Sequence, residues 1–110
     1  MKKQLYLVLK KEWFVEILKG TKKEEFRAFT DHNIKRLGVC DADGNFVDTQ
    51  KYETVKFQLG YSKDAPQMIV EVTDVILEME DLDQEILTTE NTEFVIQLGK
   101  ILETKNCENL

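Results

Sequence analysis

Short runs in which apolar residues alternate with other residues dominate the chain and predict β-strands. Leu5, Leu7 and Leu9 occupy every second position near the start, as expected for a strand with one buried face. The pattern returns at 55–59, 68–72 and 94–98, and the last strand is expected to run to residue 102. The apolar residues at 75–77 are expected to continue the strand at 68–72, beyond a bulge.

An amphipathic helix is predicted directly after the first strand. Its apolar side chains follow the spacing i, i+1, i+4, i+5, which places them on one helical face. They are Trp13, Phe14, Ile17 and Leu18. Gly20 follows and is expected to end the helix, because glycine adopts a left-handed conformation at little cost. Trp13 and Phe14 are therefore both predicted to lie in the core.

A second, shorter helix is predicted over 31–37. Thr30 or Asp31 can cap its first turn, and Gly38 is expected to close it. Shortly after, Asp43-Gly44 stands between two apolar pairs, which is a strong signal for a β-hairpin.

The order of elements is strand, helix, strand, helix and then about four strands, which predicts an α+β fold. The helices are too unevenly spaced for a doubly wound sheet. We expect a small barrel or bent sheet, mixed and of five to six strands, with one or two N-terminal helices packed against it. The length of 110 residues fits one domain, assigned to 1–104, with 105–110 as a polar C-terminal tail. The chain is expected to fray from Glu103.

Composition excludes several kinds of chemistry. The only histidine and the only serine, His32 and Ser62, do not stand in a GxSxG setting. His32, Cys40 and Cys107 are too few and too scattered for a zinc site, and no phosphate-binding glycine motif occurs. No metal and no cofactor are therefore expected. The apolar runs are too short to cross a bilayer, and the first residues do not resemble a signal peptide. A cytoplasmic protein with free thiols and no membrane contact is expected.

Charge is distributed unevenly along the chain. The net charge is −6, but positions 1–40 hold ten basic and five acidic residues and carry +5. An acidic protein is poorly suited to coat double-stranded DNA, because neutralisation of phosphates dominates that mode of binding. A local basic cleft built from the first forty residues remains open.

One motif combines groups that could bind a polar ligand. Gly20, Lys22, Glu25 and Arg27 fit the pattern GxKxxExR directly after the predicted first helix. Glu25 and Arg27 lie two apart on a predicted strand and therefore share a face. A carboxylate, a guanidinium and a nearby ammonium can read the edge of a nucleobase, and Arg27 can bind a phosphate in bidentate fashion. The alternative is an ordinary ion pair contributing about 0–1 kcal/mol.

This motif resembles that of the ASCH family, a branch of the PUA-like superfamily of RNA-associated domains. The resemblance is sharp only over residues 20–27, although the order of elements matches along the whole chain. A weaker similarity covers 60–66. The resemblance implies a PUA-like pseudo-barrel with a cleft between barrel and helices, in which RNA or a nucleotide-like ligand would bind.

Further side chains are candidates for the same cleft. Lys10 follows the first strand and is expected near the motif. Tyr61 could stack on a base, which contributes about 1–3 kcal/mol per base where such stacking occurs. Ser62 and Lys63 would add a hydroxyl and a cation from the same loop. The alternative for each of these residues is an ordinary position on the surface with no role in ligand binding. The oligomeric state is left open.

The sequence is consistent with three functions. The first is a module that binds RNA or a modified nucleoside through Lys22, Glu25 and Arg27. The second is an amidohydrolase that removes an acyl group from N4-acylated cytidine, as the resemblance implies for some ASCH domains. The third is a protein-interaction domain without a ligand.

The enzymatic alternative assigns catalysis to Lys22 and Glu25. The resemblance implies a threonine where Glu25 stands, together with a later glutamate for which Glu71, Glu78 and Glu85 are candidates. A lysine nucleophile must be neutral, whereas a carboxylate beside it favours the charged ammonium. The sequence therefore favours binding over catalysis.

Overall fold

The computed structural model describes residues 3–80 and 87–110. Within them, the chain forms two helices and seven strands. The helices are α1 (Lys11–Leu18) and α2 (Asp31–Leu37). The strands are β1 (Gln4–Leu9), β2 (Glu24–Ala28), β3 (Gly38–Cys40), β4 (Phe46–Thr49), β5 (Thr54–Leu59), β6 (Gln67–Met79) and β7 (Thr92–Lys105).

Five strands form one curled sheet in the order β1-β5-β6-β7-β2, and β3 pairs with β4 in a separate hairpin. The pair β1–β5 is parallel, whereas the other pairs in the large sheet are antiparallel. The sheet is a half-barrel whose outer strands are β1 and β2. The predicted α+β class is confirmed, and so is a mixed sheet of five strands.

The predicted second helix and hairpin are confirmed. Thr30 caps α2, since its side chain accepts a hydrogen bond of 3.3 Å from the backbone N–H of Asn33. The hairpin turns at Asp43-Gly44, where Asp41 Oδ1 accepts from the backbone N–H groups of Asp43 and Asn45. The turn residues thus satisfy local backbone donors.

Strands β6 and β7 form a long antiparallel ribbon that bends at three shifts of register between Ile69 and Asp74. The predicted continuation of β6 beyond a bulge is confirmed. The expectation of fraying from Glu103 is wrong, because Glu103 pairs with Ile69 and β7 continues to Lys105. Backbone pairing with β6 offsets the polar character of these side chains.

Helix α1 packs on the sheet through Phe14 and Ile17, which are buried. The prediction for Trp13 is wrong, since this side chain is 46% exposed. Trp13 lies at the border of the helix's apolar face, so that Phe14 turns into the core while the indole lies beside it. The helix ends at Leu18, and Gly20, two residues later, has the predicted left-handed conformation with a φ of +80°.

Neither helix in the described residues has the length and apolar character that would be needed to cross a membrane.

Candidate functional site

Glu25 and Arg27 form an ion pair on β2, with Arg27 Nη2 and Glu25 Oε2 3.2 Å apart. The same nitrogen donates a hydrogen bond of 3.3 Å to the carbonyl oxygen of Val8 on β1. Arg27 therefore spans the opening between the two outer strands of the half-barrel.

Glu25 is unusual because its residue surface is only 6% exposed although its side chain is ionisable. A buried carboxylate is costly unless donors satisfy it. Its Oε1 accepts from the backbone N–H of Phe26 at 3.1 Å, while Oε2 accepts from Arg27. These two bonds hold the carboxylate in one orientation.

Lys22 reaches the same place from the connection between α1 and β2. The turn is fixed by Thr21 and Lys22, whose backbone N–H groups both donate to the carbonyl oxygen of Glu16. Lys22 Nζ lies 3.9 Å from Glu25 Oε1. It also lies 5.0 Å from the ring centroid of Trp13 and 5.1 Å from that of Phe26, within the range of a cation–π interaction.

The ion pair of Glu25 and Arg27 and the two aromatic rings near Lys22 border a cavity of about 300 Å³, which lies between the end of β1, α1 and β2. We call it the motif cavity. It is lined by Val8, Leu9, Lys10, Trp13, Glu25, Phe26, Arg27 and Ala28. Its volume lies at the lower end of the range for small-molecule sites. Lys22 contacts three of the lining residues without lining the cavity itself.

The predicted site residues thus divide into two groups. Lys10, Glu25 and Arg27 line the motif cavity, and Lys22 lies beside it. The second group, Tyr61, Ser62 and Lys63, lies on the exposed loop after β5. This loop adjoins the end of β1, because the backbone N–H of Gly60 donates to the carbonyl oxygen of Leu9. Tyr61 is 87% exposed, and none of the three residues is in the described lining.

Trp13 and Phe26 are two lining residues that sequence reasoning did not select. Phe26 is 41% exposed because it lies on the face of β2 opposite Glu25 and Arg27. Period two along β2 assigns Phe26 to that outer face. The sequence also indicated a partly exposed ring at Trp13, because this residue stands at the edge of the helix's apolar face. It lies seven residues before Gly20, close to the start of the motif.

The later glutamates of the enzymatic alternative do not join the motif cavity in the part of the chain that is described. Glu71 packs against Gly99, and Glu78 lines a different cavity of about 420 Å³. Glu85 lies outside the described residues. Over 3–80 and 87–110, no group of three potential metal ligands occurs.

Comparison of the chain with protein-family models, with curated proteins and with solved structures found no match.

Proposed function

We propose that this chain is a PUA-like domain of the ASCH type that binds a nucleobase, as a nucleoside or within RNA, in the motif cavity. The observation that carries the proposal is the convergence of Lys22, Glu25 and Arg27 beside two partly exposed aromatic rings. Such a set combines apolar surface for a planar ring with groups that read its edge.

The aromatic surface is the first support. Trp13 and Phe26 border the cavity from α1 and β2, and both keep more than a third of their surface exposed. Any of the bases can stack on an aromatic side chain, because each base has a π-face. Lys22 lies near both rings.

The polar wall is the second support. Glu25 offers a fixed carboxylate that can accept hydrogen bonds from amino or imino groups on a base. Among the described residues, both hydrogen bonds of Arg27 use Nη2. The N–H groups at Nη1 and Nε remain as further donors in a planar fork.

The surroundings of Lys22 favour binding over acyl transfer. Its ammonium has a carboxylate at 3.9 Å and two aromatic faces at about 5 Å, all of which attract a cation. A nucleophilic lysine requires surroundings that favour the neutral amine. We therefore assign Lys22 to ligand binding.

The test is calorimetric titration with adenosine, cytidine, guanosine, uridine and N4-acetylcytidine. We expect one or more of them to bind, and Trp13→Ala and Lys22→Ala to weaken that binding at least tenfold. Tyr61→Ala is the matched control for a lost aromatic ring, because Tyr61 does not line the cavity.

Two results would remove the proposal. One is the absence of binding by all five nucleosides, and the other is binding that Trp13→Ala and Lys22→Ala leave unchanged. Chromatography of the N4-acetylcytidine samples addresses the enzymatic alternative, since formation of cytidine that disappears in Lys22→Ala would assign catalysis to this lysine.

A further inference from the structure

A further cavity, of about 260 Å³, lies between the α1–β2 connection and strands β6 and β7. We call it the lysine cavity. Lys22 and Lys23 border it from this connection, and Lys100 borders it from β7. Its floor is apolar and includes Ile17, Val70 and Leu98, which are buried.

The charge of the lysine cavity is opposite to that of the protein. The chain has a net charge of −6, yet in the described lining there are three lysines and no acidic residue. Two of the lining residues contact carboxylates from outside the lining, since Lys22 Nζ lies 3.9 Å from Glu25, and Glu71 packs against Gly99 at the bulge of β6 and β7. The Nζ of Lys22 approaches Glu25 in the motif cavity, so Lys23 and Lys100 are the lysines whose charge makes this concave surface attract an anion.

Lys22 connects the two cavities. Its residue borders the lysine cavity, while its Nζ approaches Trp13, Phe26 and Glu25, which line the motif cavity. A ligand with a base in the motif cavity therefore has Lys22 beside it, and Lys22 also borders the cavity that Lys23 and Lys100 line.

We propose that the lysine cavity binds a phosphate group of the ligand, so that the domain binds nucleotides in preference to nucleosides. The inference rests on the proposed function for the base. Lys23 and Lys100 supply charge at this position, and Lys22 belongs to both parts of the site. Lysine suits this role because it contacts phosphate as a point charge and needs no fixed bidentate geometry.

The experiment compares each nucleoside with its 5′-monophosphate by calorimetry at low and high salt. We expect the monophosphate to bind more tightly. The double variant Lys23→Gln, Lys100→Gln is expected to weaken monophosphate binding about three- to tenfold, the effect of losing two partly exposed ion pairs, with nucleoside binding unchanged. Lys35→Gln, at an exposed position of α2, is the control for loss of charge alone. Glu71→Gln is expected to strengthen monophosphate binding.

A pentanucleotide of RNA and inorganic phosphate serve as additional probes. For the pentanucleotide, each phosphate contact contributes about −0.7 to the slope of log K against log salt, so the double variant should have a shallower slope. Inorganic phosphate separates a general anion site from one that requires the base. Saturable binding of phosphate that the double variant abolishes would support the lysine cavity on its own.

The two proposals fail in different ways. If nucleosides bind in a manner that depends on Trp13 but monophosphates bind no more tightly, or the double variant has no effect, the lysine cavity is not a phosphate site. If no nucleoside binds, yet the pentanucleotide binds through Lys23 and Lys100, the phosphate site stands and the base site does not.

Discussion

The guanidinium of Arg27 on β2 donates a hydrogen bond of 3.3 Å to the carbonyl oxygen of Val8 on β1. These strands are the two edges of the curled sheet, and edge strands expose backbone groups that require other partners. Arg36 of α2 donates to the carbonyl oxygen of Tyr6 on the same edge. Two arginine side chains thus cover the β1 edge where no strand pairs with it.

Replacing Arg27 should therefore destabilise the fold. Arg27→Ala removes the bond to Val8 and one partner of the buried Glu25 carboxylate. We expect a loss of about 2–3 kcal/mol in the free energy of unfolding, in the range for hydrogen bonds with charged groups. Urea denaturation followed by circular dichroism measures it.

Lys35→Ala, an exposed substitution on α2, is the control and should cost less than about 0.5 kcal/mol. Equal stabilities for Arg27→Ala and Lys35→Ala would show that the bridge between β1 and β2 does not stabilise the fold.

Truncation of two adjacent aromatic residues on α1 should affect different properties of the protein, stability for one and ligand binding for the other. Phe14 is fully buried, so Phe14→Ala should destabilise by about 3–5 kcal/mol. Trp13→Ala should cost much less stability, because nearly half of the indole is exposed, and should act mainly on ligand binding. Thermal unfolding of both variants decides between core and surface roles. A loss of stability in Trp13→Ala as large as that in Phe14→Ala would assign the indole to the core.

Local patterns in the sequence predicted much of the fold. The bounds 31–37, the cap at Thr30 and the turn at Asp43-Gly44 depend on interactions between residues close in sequence, so they could be inferred. The parallel pairing of β1 with β5 places Leu5 opposite Val55. These residues are far apart in sequence, and hydrophobic periodicity gives no information on which strands pair over such a separation.

The candidate site was predictable only in part. Spacing alone put Glu25 and Arg27 on one face of β2. The bond from Arg27 to Val8 depends on the curl of the whole sheet, and the exposure of Trp13 depends on how α1 is rotated against it. Tyr61 was selected for its aromatic ring, but nothing in the local sequence specified which way its loop would extend.

Substitutions of Gly20 test whether its left-handed conformation is required in the turn that positions the motif beside the cavity. Its φ is +80°, and a Cβ there would meet no atom within 4 Å. A side chain would therefore be opposed by backbone conformation alone. We expect Gly20→Ala to cost about 1–2 kcal/mol, and Gly20→Asn less, because asparagine tolerates this conformation better. Similar stabilities for glycine, asparagine and alanine in chemical denaturation would contradict this explanation.

Stability should fall at alkaline pH in a way that involves Tyr52. Burial raises the pKa of Tyr52 above its ordinary value of about 10.0, and the Arg36 charge opposes this in part. The hydroxyl also donates to the carbonyl oxygen of Arg36. Because the folded-state pKa is the higher one, the contribution is present below pH 10 and is lost as pH rises above that value.

The variant Tyr52→Phe isolates this contribution. It lacks the titrating group, so its free energy of unfolding should decline less steeply than that of the wild type between pH 10 and 11, although it also loses the hydrogen bond to Arg36. Urea denaturation at pH 8, 10 and 11 measures both slopes. Identical slopes would show that Tyr52 does not contribute to the pH dependence.

The most direct test of the motif cavity uses Trp13, which is the only tryptophan in the chain. Its indole N–H therefore gives a single signal in a ¹H–¹⁵N correlation spectrum, and that signal reports on the cavity. We predict that titration with the nucleoside panel shifts this resonance in a saturable way, and that Lys22→Ala removes the shift. An indole signal that stays in place for every nucleoside would contradict base binding in this cavity.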